Sequence, residues 1–161
     1  MDKKKVVIIF ILIISIGIVG IFISVVLFSI PHEAPPPAAS EIEIDASGTV
    51  YNIVDGDTYD QSGLSDGDRV RLADIDAPES DINAENYLSS LIYDKFVYVD
   101  IDDIYGKGYY DRWICVVYVR HNSTHVLNVN YAMVLNGYAV IDNYYNEFNP
   151  YDWKLYYYHK V

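Results

Sequence analysis

Asp55-Gly56-Asp57-Thr58 and Val70-Arg71-Leu72-Ala73-Asp74-Ile75-Asp76-Ala77-Pro78-Glu79 place carboxylates and an arginine at the ends of β-prone runs. A hard cation such as Ca²⁺ takes oxygen ligands, commonly two or more carboxylates completed by carbonyls and water. Asp57 and Asp76, each at a strand end, converge if their strands are neighbours. Thr58 and the Ala77 carbonyl add oxygens, and Pro78 fixes the chain after Ala77. Arg71 leads into Asp76, and its planar, permanently charged fork suits a phosphate. Glu79 lies within reach of a water attacking that phosphate. A cation, an arginine and a base around one phosphate describe phosphodiester hydrolysis.

Asp-Gly-Asp alone is a weak signal, because Asp66-Gly67-Asp68 repeats it in a stretch that a hairpin turn explains. The downstream Arg-x-x-x-x-Asp-x-Pro-Glu spacing gives the first copy its weight.

The elements that must position these groups follow from pattern. Gly48–Val54, Thr58–Asp60 and Arg69–Ile75 read as three strands of a meander, the last ended by Pro78. Ser80-Asp81 caps a helix over about Ala84–Tyr93, whose apolar side is Leu88, Leu91 and Ile92. Phe96–Ile101 and Arg112–Val119 are strands four and five. Val126–Asn136 reads as a second helix closed by Gly137, and Pro150 starts a short aromatic helix or turn. Five strands with inserted helices predict an α+β chain built on a small Greek-key barrel of the oligonucleotide-binding kind.

The N-terminus is a separate object. Residues 1–5 include three lysines, and Val6–Ile30 carries no charge over 25 residues. At about 1.5 Å per residue that length crosses a hydrocarbon core of about 30 Å. It exceeds the apolar stretch of about 7–15 residues in a cleavable signal. The expectation is a signal-anchor helix over 6–30, lysines on the cytoplasmic side and the rest of the chain outside. The alternative is a secreted domain, cut near Ala38-Ala39-Ser40. Residues 31–40 form a proline-rich spacer, and 41–161 one small domain. Lys3–Lys5 are three of the 11 basic residues and Asp2 one of the 23 acidic ones, so residues after Ile30 carry a net charge of −14. That surface repels polyanions at long range and suits solubility outside a cell. The single Cys115 excludes an intrachain disulfide, and Asn122-Ser123-Thr124 is a candidate N-glycosylation site.

The motifs together resemble the thermonuclease, or staphylococcal-nuclease-like, family. The resemblance rests on Val54–Thr58, Val70–Leu72, Ile75–Glu79, Tyr110-Asp111-Arg112 leading to Val117-Tyr118, and Val129–Val134 followed by Gly137-Tyr138-Ala139. It implies a five-stranded barrel with helices and Ca²⁺-dependent cleavage of the P–O5′ bond of DNA or RNA, leaving 3′-phosphates. It further implies that Asp57, Asp76 and the Ala77 carbonyl hold Ca²⁺. Glu79 orients or deprotonates water, and Arg71 and Arg112 clamp the phosphate. Asp55 and Thr58 support the site from behind.

Three departures stand out. Asp111 occupies the place where the family usually has glycine before its second arginine. Tyr105-Gly106-Lys107 is a rival to that element, but Arg112 alone is followed by a continuous strand. Asp94 stands where glycine commonly follows the first helix, and the family's long basic last helix is reduced to Trp153–Val161. Among 17 tyrosines, Tyr144 and Tyr145 are the candidates to stack on a nucleotide base. The competing reading is a non-catalytic module of the same fold that binds nucleic acid or a partner at the cell surface.

Overall fold

The protein is described by a computed structural model covering residues 41–160. The basic tail, the apolar segment 6–30 and the spacer 31–40 lie outside the described residues. No helix among those described is long and apolar enough to cross a membrane.

Five strands close a barrel: β1 (Ala46–Ile53), β2 (Thr58–Gln61), β3 (Arg69–Leu72), β5 (Phe96–Ile101) and β6 (Trp113–Arg120). They run in the order β3-β2-β1-β5-β6, and a parallel pairing of β6 with β3, Arg71 opposite Ile114, completes the ring. The meander expected over the first three strands is present, antiparallel throughout. Alternation along the strands sends Val50, Tyr59, Val70, Leu72, Val97, Val99, Cys115, Val117 and Val119 inward. Each aliphatic side chain so buried contributes about 1.5–3 kcal/mol.

Helix α1 (Ile82–Ile92) lays Ala84, Leu88 and Ile92 against this core. The Asp81 carboxylate accepts from the Asn83 N–H and sets its start. At its end, Lys95 Nζ donates to the carbonyls of Ser90 and Leu91, which the helix leaves unpaired. Asp94 adopts the left-handed backbone, φ 57°, that a glycine would otherwise supply. The short aspartate side chain tolerates that region better than most.

Two expectations change. The third strand does not run to Ile75. It stops at Leu72 because Asp74 turns the chain with φ 54°, and Ile75–Asp76 forms β4, paired with β8 (Val140–Ile141). The second helix does not begin at Val126. His125–Asn128 is a strand, β7, paired on one side with β6 and on the other with β9 (Tyr156–Tyr158). The Asn128 side chain then accepts from the Tyr131 N–H and caps α2 (Val129–Leu135). Pro150–Asp152 is one 3-10 turn. The chain beyond it covers the outer face of β6, where Ile114, Val116, Tyr118 and Val126 meet Phe148, Trp153 and Tyr157. Burial on both faces explains why β6 reads as a continuous apolar run.

A buried amide ties these parts together. Asn130, fully buried, accepts from the Val117 N–H at 3.0 Å and donates to the carbonyls of Ala73 and Cys115 at 3.0 and 3.1 Å. It fills the place where β3 parts from β6. Asn130→Ala leaves the Val117 N–H and the Ala73 carbonyl without their side-chain partner, while the Cys115 carbonyl keeps the Ala73 N–H, so stability falls by about 2 kcal/mol. A lower urea midpoint at unchanged slope is the expected readout.

Asp100, on β5, is crowded by acids. Burial first, then Glu147, Asp45, Glu43 and Asp103, push its carboxyl up to about 7 from the usual 3.8. Between those values the folded domain holds a proton that the unfolded chain has released. Stability therefore falls as pH rises through this window and stays reduced above it. Asp100→Asn removes the penalty, so melting temperatures should show a stabilisation that is larger at pH 8 than at pH 5.

Candidate active site

Loop 54–57, strand β3, the β4 turn and the loop before β6 bring the predicted residues to one end of the barrel. A cavity of about 280 Å³ is lined by Asp55, Asp57, Arg71, Asp76, Ala77, Pro78, Glu79, Tyr110 and Arg112.

Asp57 enters it from a turn. Its own N–H is held by the Asp55 carboxylate at 3.0 Å, and its carbonyl accepts from the Leu72 N–H. Gly56 lets this turn press on the neighbouring chain, since a Cβ there would lie 2.7 Å from the Cβ atoms of both Ala77 and Ala84. The buried Asp57 carboxylate accepts from the Ala77 N–H at 2.8 Å and from Thr58 Oγ1 at 3.1 Å. Thr58 in turn accepts from Arg112 Nη1 at 3.2 Å, linking the carboxylate to the second arginine.

Arg71 stands between two carboxylates: Nη1 is 2.5 Å from Asp57 Oδ2 and Nη2 is 3.1 Å from Asp76 Oδ1. The first contact pairs the two charges even though its angles fall short of a hydrogen bond. Arg112 Nε is buried and has no hydrogen-bond partner. A buried orphan donor is costly, and one on an arginine at this cavity favours an oxyanion there. Burial raises the Asp57 carboxyl above its ordinary value even though Arg71 and the Ala77 N–H work in the opposite direction.

These donors fit a hard cation. Asp57 and Asp76 already share one positive centre, and a desolvated carboxylate gains from further positive charge. No group of three or more His, Cys, Asp or Glu side chains suited to a metal occurs among the described residues. The chain thus supplies two carboxylates, leaving carbonyls and water to complete a coordination shell. Glu79 is exposed on the turn after Pro78 and faces the same cavity.

Asp111, next in sequence to Arg112, pairs with Lys107 instead. Its backbone is left-handed, φ 56°, and its carboxylate accepts from Lys107 Nζ at 3.0 Å. Arg112 instead packs over the Tyr110 ring, 5.2 Å from its centre. Lys107, the rival cation, lines a second cavity of about 470 Å³ that shares Arg71 and Arg112 with the first.

That second cavity also has Tyr105, Tyr109, Ile114 and Tyr144 in its walls. Tyr144 is therefore at the site, whereas Tyr145 does not line either cavity and meets the Tyr105 ring edge-on. Sequence reasoning passed over Tyr105 and Tyr109, although Tyr109-Tyr110 stands directly before the Arg112 element. Asp102, just after β5, is buried, and its carboxylate accepts from the N–H groups of Ile104, Tyr105 and Glu147. Asp74, fully buried, accepts from Asn146 Nδ2 and the Tyr144 N–H. The aromatic walls are thus hung on two buried aspartates.

Asn122 lies in the exposed β6–β7 turn, its side-chain oxygen accepting from Thr124 and His125. It is remote in sequence from the site-forming loops.

A family model described as "Staphylococcal nuclease homologue" matches residues 69–161, which take in Arg71, Asp76, Glu79 and Arg112 but not Asp57. A micrococcal nuclease of Shigella flexneri is 36% identical over 124 residues, covering 72% of this chain and 68% of its own length. Protein ParB of Escherichia coli is 35% identical over 107 residues, covering 63% of this chain and 60% of its own length. A closed five-stranded barrel with two helices, and a match over more than half the chain, agree: this chain belongs to the staphylococcal nuclease homologue family.

Proposed function

We propose that the domain is a Ca²⁺-dependent nuclease that hydrolyses phosphodiester bonds of DNA or RNA at the P–O5′ bond, leaving 3′-phosphates. The observation that carries this reading is the convergence of Asp57, Arg71, Asp76, Glu79 and Arg112 on one cavity. Asp57 and Asp76, with the Ala77 carbonyl, would hold the cation, which supplies Lewis-acid polarisation of the phosphate when bound.

The chain's own groups do the rest. Arg71 and Arg112 present N–H donors to the phosphate oxygens where charge grows as the phosphorus becomes five-coordinate. Glu79 accepts the proton of the attacking water or orients it. The water oxygen bonds to phosphorus, and the P–O5′ bond breaks with its electron pair leaving on O5′, which takes up a proton from solvent to become the 5′-hydroxyl. Thr58 keeps Arg112 at the Asp57 side of the cavity. Tyr144 offers a ring to a base beside the scissile phosphate.

The basic-then-apolar N-terminus supports a surface role: a domain facing outward on a single-pass anchor, or secreted if the anchor is cut, degrading nucleic acid outside the cell. Asn122 would be open to glycosylation there. The net charge of −14 after Ile30 favours a second reading, a non-catalytic binding module at the cell surface.

End analysis of cleaved oligonucleotides separates these. The purified chain, given a 5′-labelled single strand and Ca²⁺, should yield fragments whose mobility changes on phosphatase removal of a 3′-phosphate. Thermal stabilisation by Ca²⁺ with no fragments would favour the binding module.

A further inference from the structure

The carboxylate of Asp111 precedes Arg112 directly, and an adjacent acid competes with a phosphate for the guanidinium. What occupies that carboxylate therefore matters for the site. Asp111 Oδ1 accepts from Lys107 Nζ at 3.0 Å, and the same ammonium donates to Asp66 Oδ2 at 2.9 Å. Asp66 is itself fixed from behind, since Trp113 Nε1 donates to its carbonyl at 2.8 Å. Lys107 Nζ lies 5.0 Å from the Trp113 ring centre, so the indole guides both members of the cluster.

Both acids are more than 80% exposed at the side chain. Exposed ion pairs of this kind add little stability, so the cluster's consequence is geometric. It draws Asp111 toward the 62–68 turn, while Arg112 keeps its contacts with Thr58 and Tyr110 and an unpartnered buried Nε. The repeated Asp-Gly-Asp thus has a use beyond a turn, because its first aspartate anchors the lysine.

We propose that Lys107 is a positioning residue for the hydrolysis: it holds the Asp111 carboxylate away from Arg112 and so keeps that guanidinium available to the phosphate. This rests on the nuclease reading for its kinetic consequence, but not for its structural one.

The test uses the full chain as Lys107→Met, Asp111→Gly and the double variant. Lys107→Met should lower kcat at least tenfold with KM within about twofold, the pattern of an interaction lost only in the transition state. Asp111→Gly should remain within about twofold of the parent. The double variant should recover to the level of Asp111→Gly, because nothing is left to capture Arg112. Lys107→Arg, which keeps the charge, should retain kcat. A rise in KM at unchanged kcat, or a double variant as slow as Lys107→Met, overturns the proposal and makes Lys107 a direct substrate contact.

The Arg112 Nε–H resonance, assigned through Arg112→Lys, gives a readout free of turnover. It should move in Lys107→Met and return in the double variant. An unmoved resonance overturns the proposal whatever the kinetics. A parent chain without turnover sinks the nuclease reading alone and leaves this resonance test standing.

Discussion

Arg71→Ala should lower kcat about 10³-fold and also make the domain less stable, increasingly so as pH rises. Loss of one charge-stabilising donor costs roughly 10²–10³ in rate, and Arg71 also serves both carboxylates. The stability effect follows from Asp57, which is buried and whose carboxyl burial already raises above its ordinary value. Without Arg71 that value rises further. A carboxyl raised on folding weakens the fold as pH rises through the folded value, because the unfolded chain releases its proton first. Toward lower pH the variant can protonate Asp57 and lose less, whereas toward higher pH it strands a buried charge. Added Ca²⁺ should restore the melting temperature but not the rate. Arg71→Lys should recover stability more than activity, since an ammonium keeps the charge and loses the planar fork.

Glu79→Gln should show the opposite separation. Glu79 is exposed, so its replacement leaves stability within about 0.5 kcal/mol. A positioned general base contributes about 10²–10⁴-fold, so kcat should fall by that amount with substrate binding intact. A variant that loses both stability and rate would show that Glu79 is a structural carboxylate.

The sequence is most legible where chemistry depends on local spacing. Asp57, Arg71, Asp76 and Glu79 are brought together by two turns and one strand pairing, Thr58 opposite Arg71, and their intervals already encode that. Phe96–Ile101 is recovered residue for residue because its apolar alternation is uninterrupted. His125–Asn128 is another matter. Its Val126 and Val129 also fit a helical face, and only pairing with β6 and β9, distant in sequence, makes it a strand. Asn130 is a polar residue in a short helix, yet it faces inward because the Val117 N–H and the Ala73 carbonyl need a partner there. Asp102 is buried on the same principle, because N–H groups of the surrounding loops point at its carboxylate. Asp111 and Asp94 show the limit of reading a missing glycine as damage. Both take the left-handed backbone themselves.

The acidity of the chain also reads differently once its location is considered. A carboxyl raised by crowded acids sits at Asp100, among Glu147, Asp45, Glu43 and Asp103 from the 142–148 segment, the segment before β1 and the turn after β5. At the candidate site, by contrast, Arg71 and Arg112 face the carboxylates that a cation would neutralise. Long-range repulsion of nucleic acid lowers the encounter rate and is relieved by salt, without altering the reacting groups.

The most direct measurement is the single-turnover cleavage rate of a single-stranded oligonucleotide by the full chain across a titration of free Ca²⁺. The expected result is a rate that rises to saturation, disappears with chelator, and falls by at least about 10² in Glu79→Gln at saturating cation. No cleavage at any Ca²⁺ concentration, or cleavage unchanged by chelator, would contradict a cation-dependent phosphodiesterase at Asp57, Arg71, Asp76, Glu79 and Arg112.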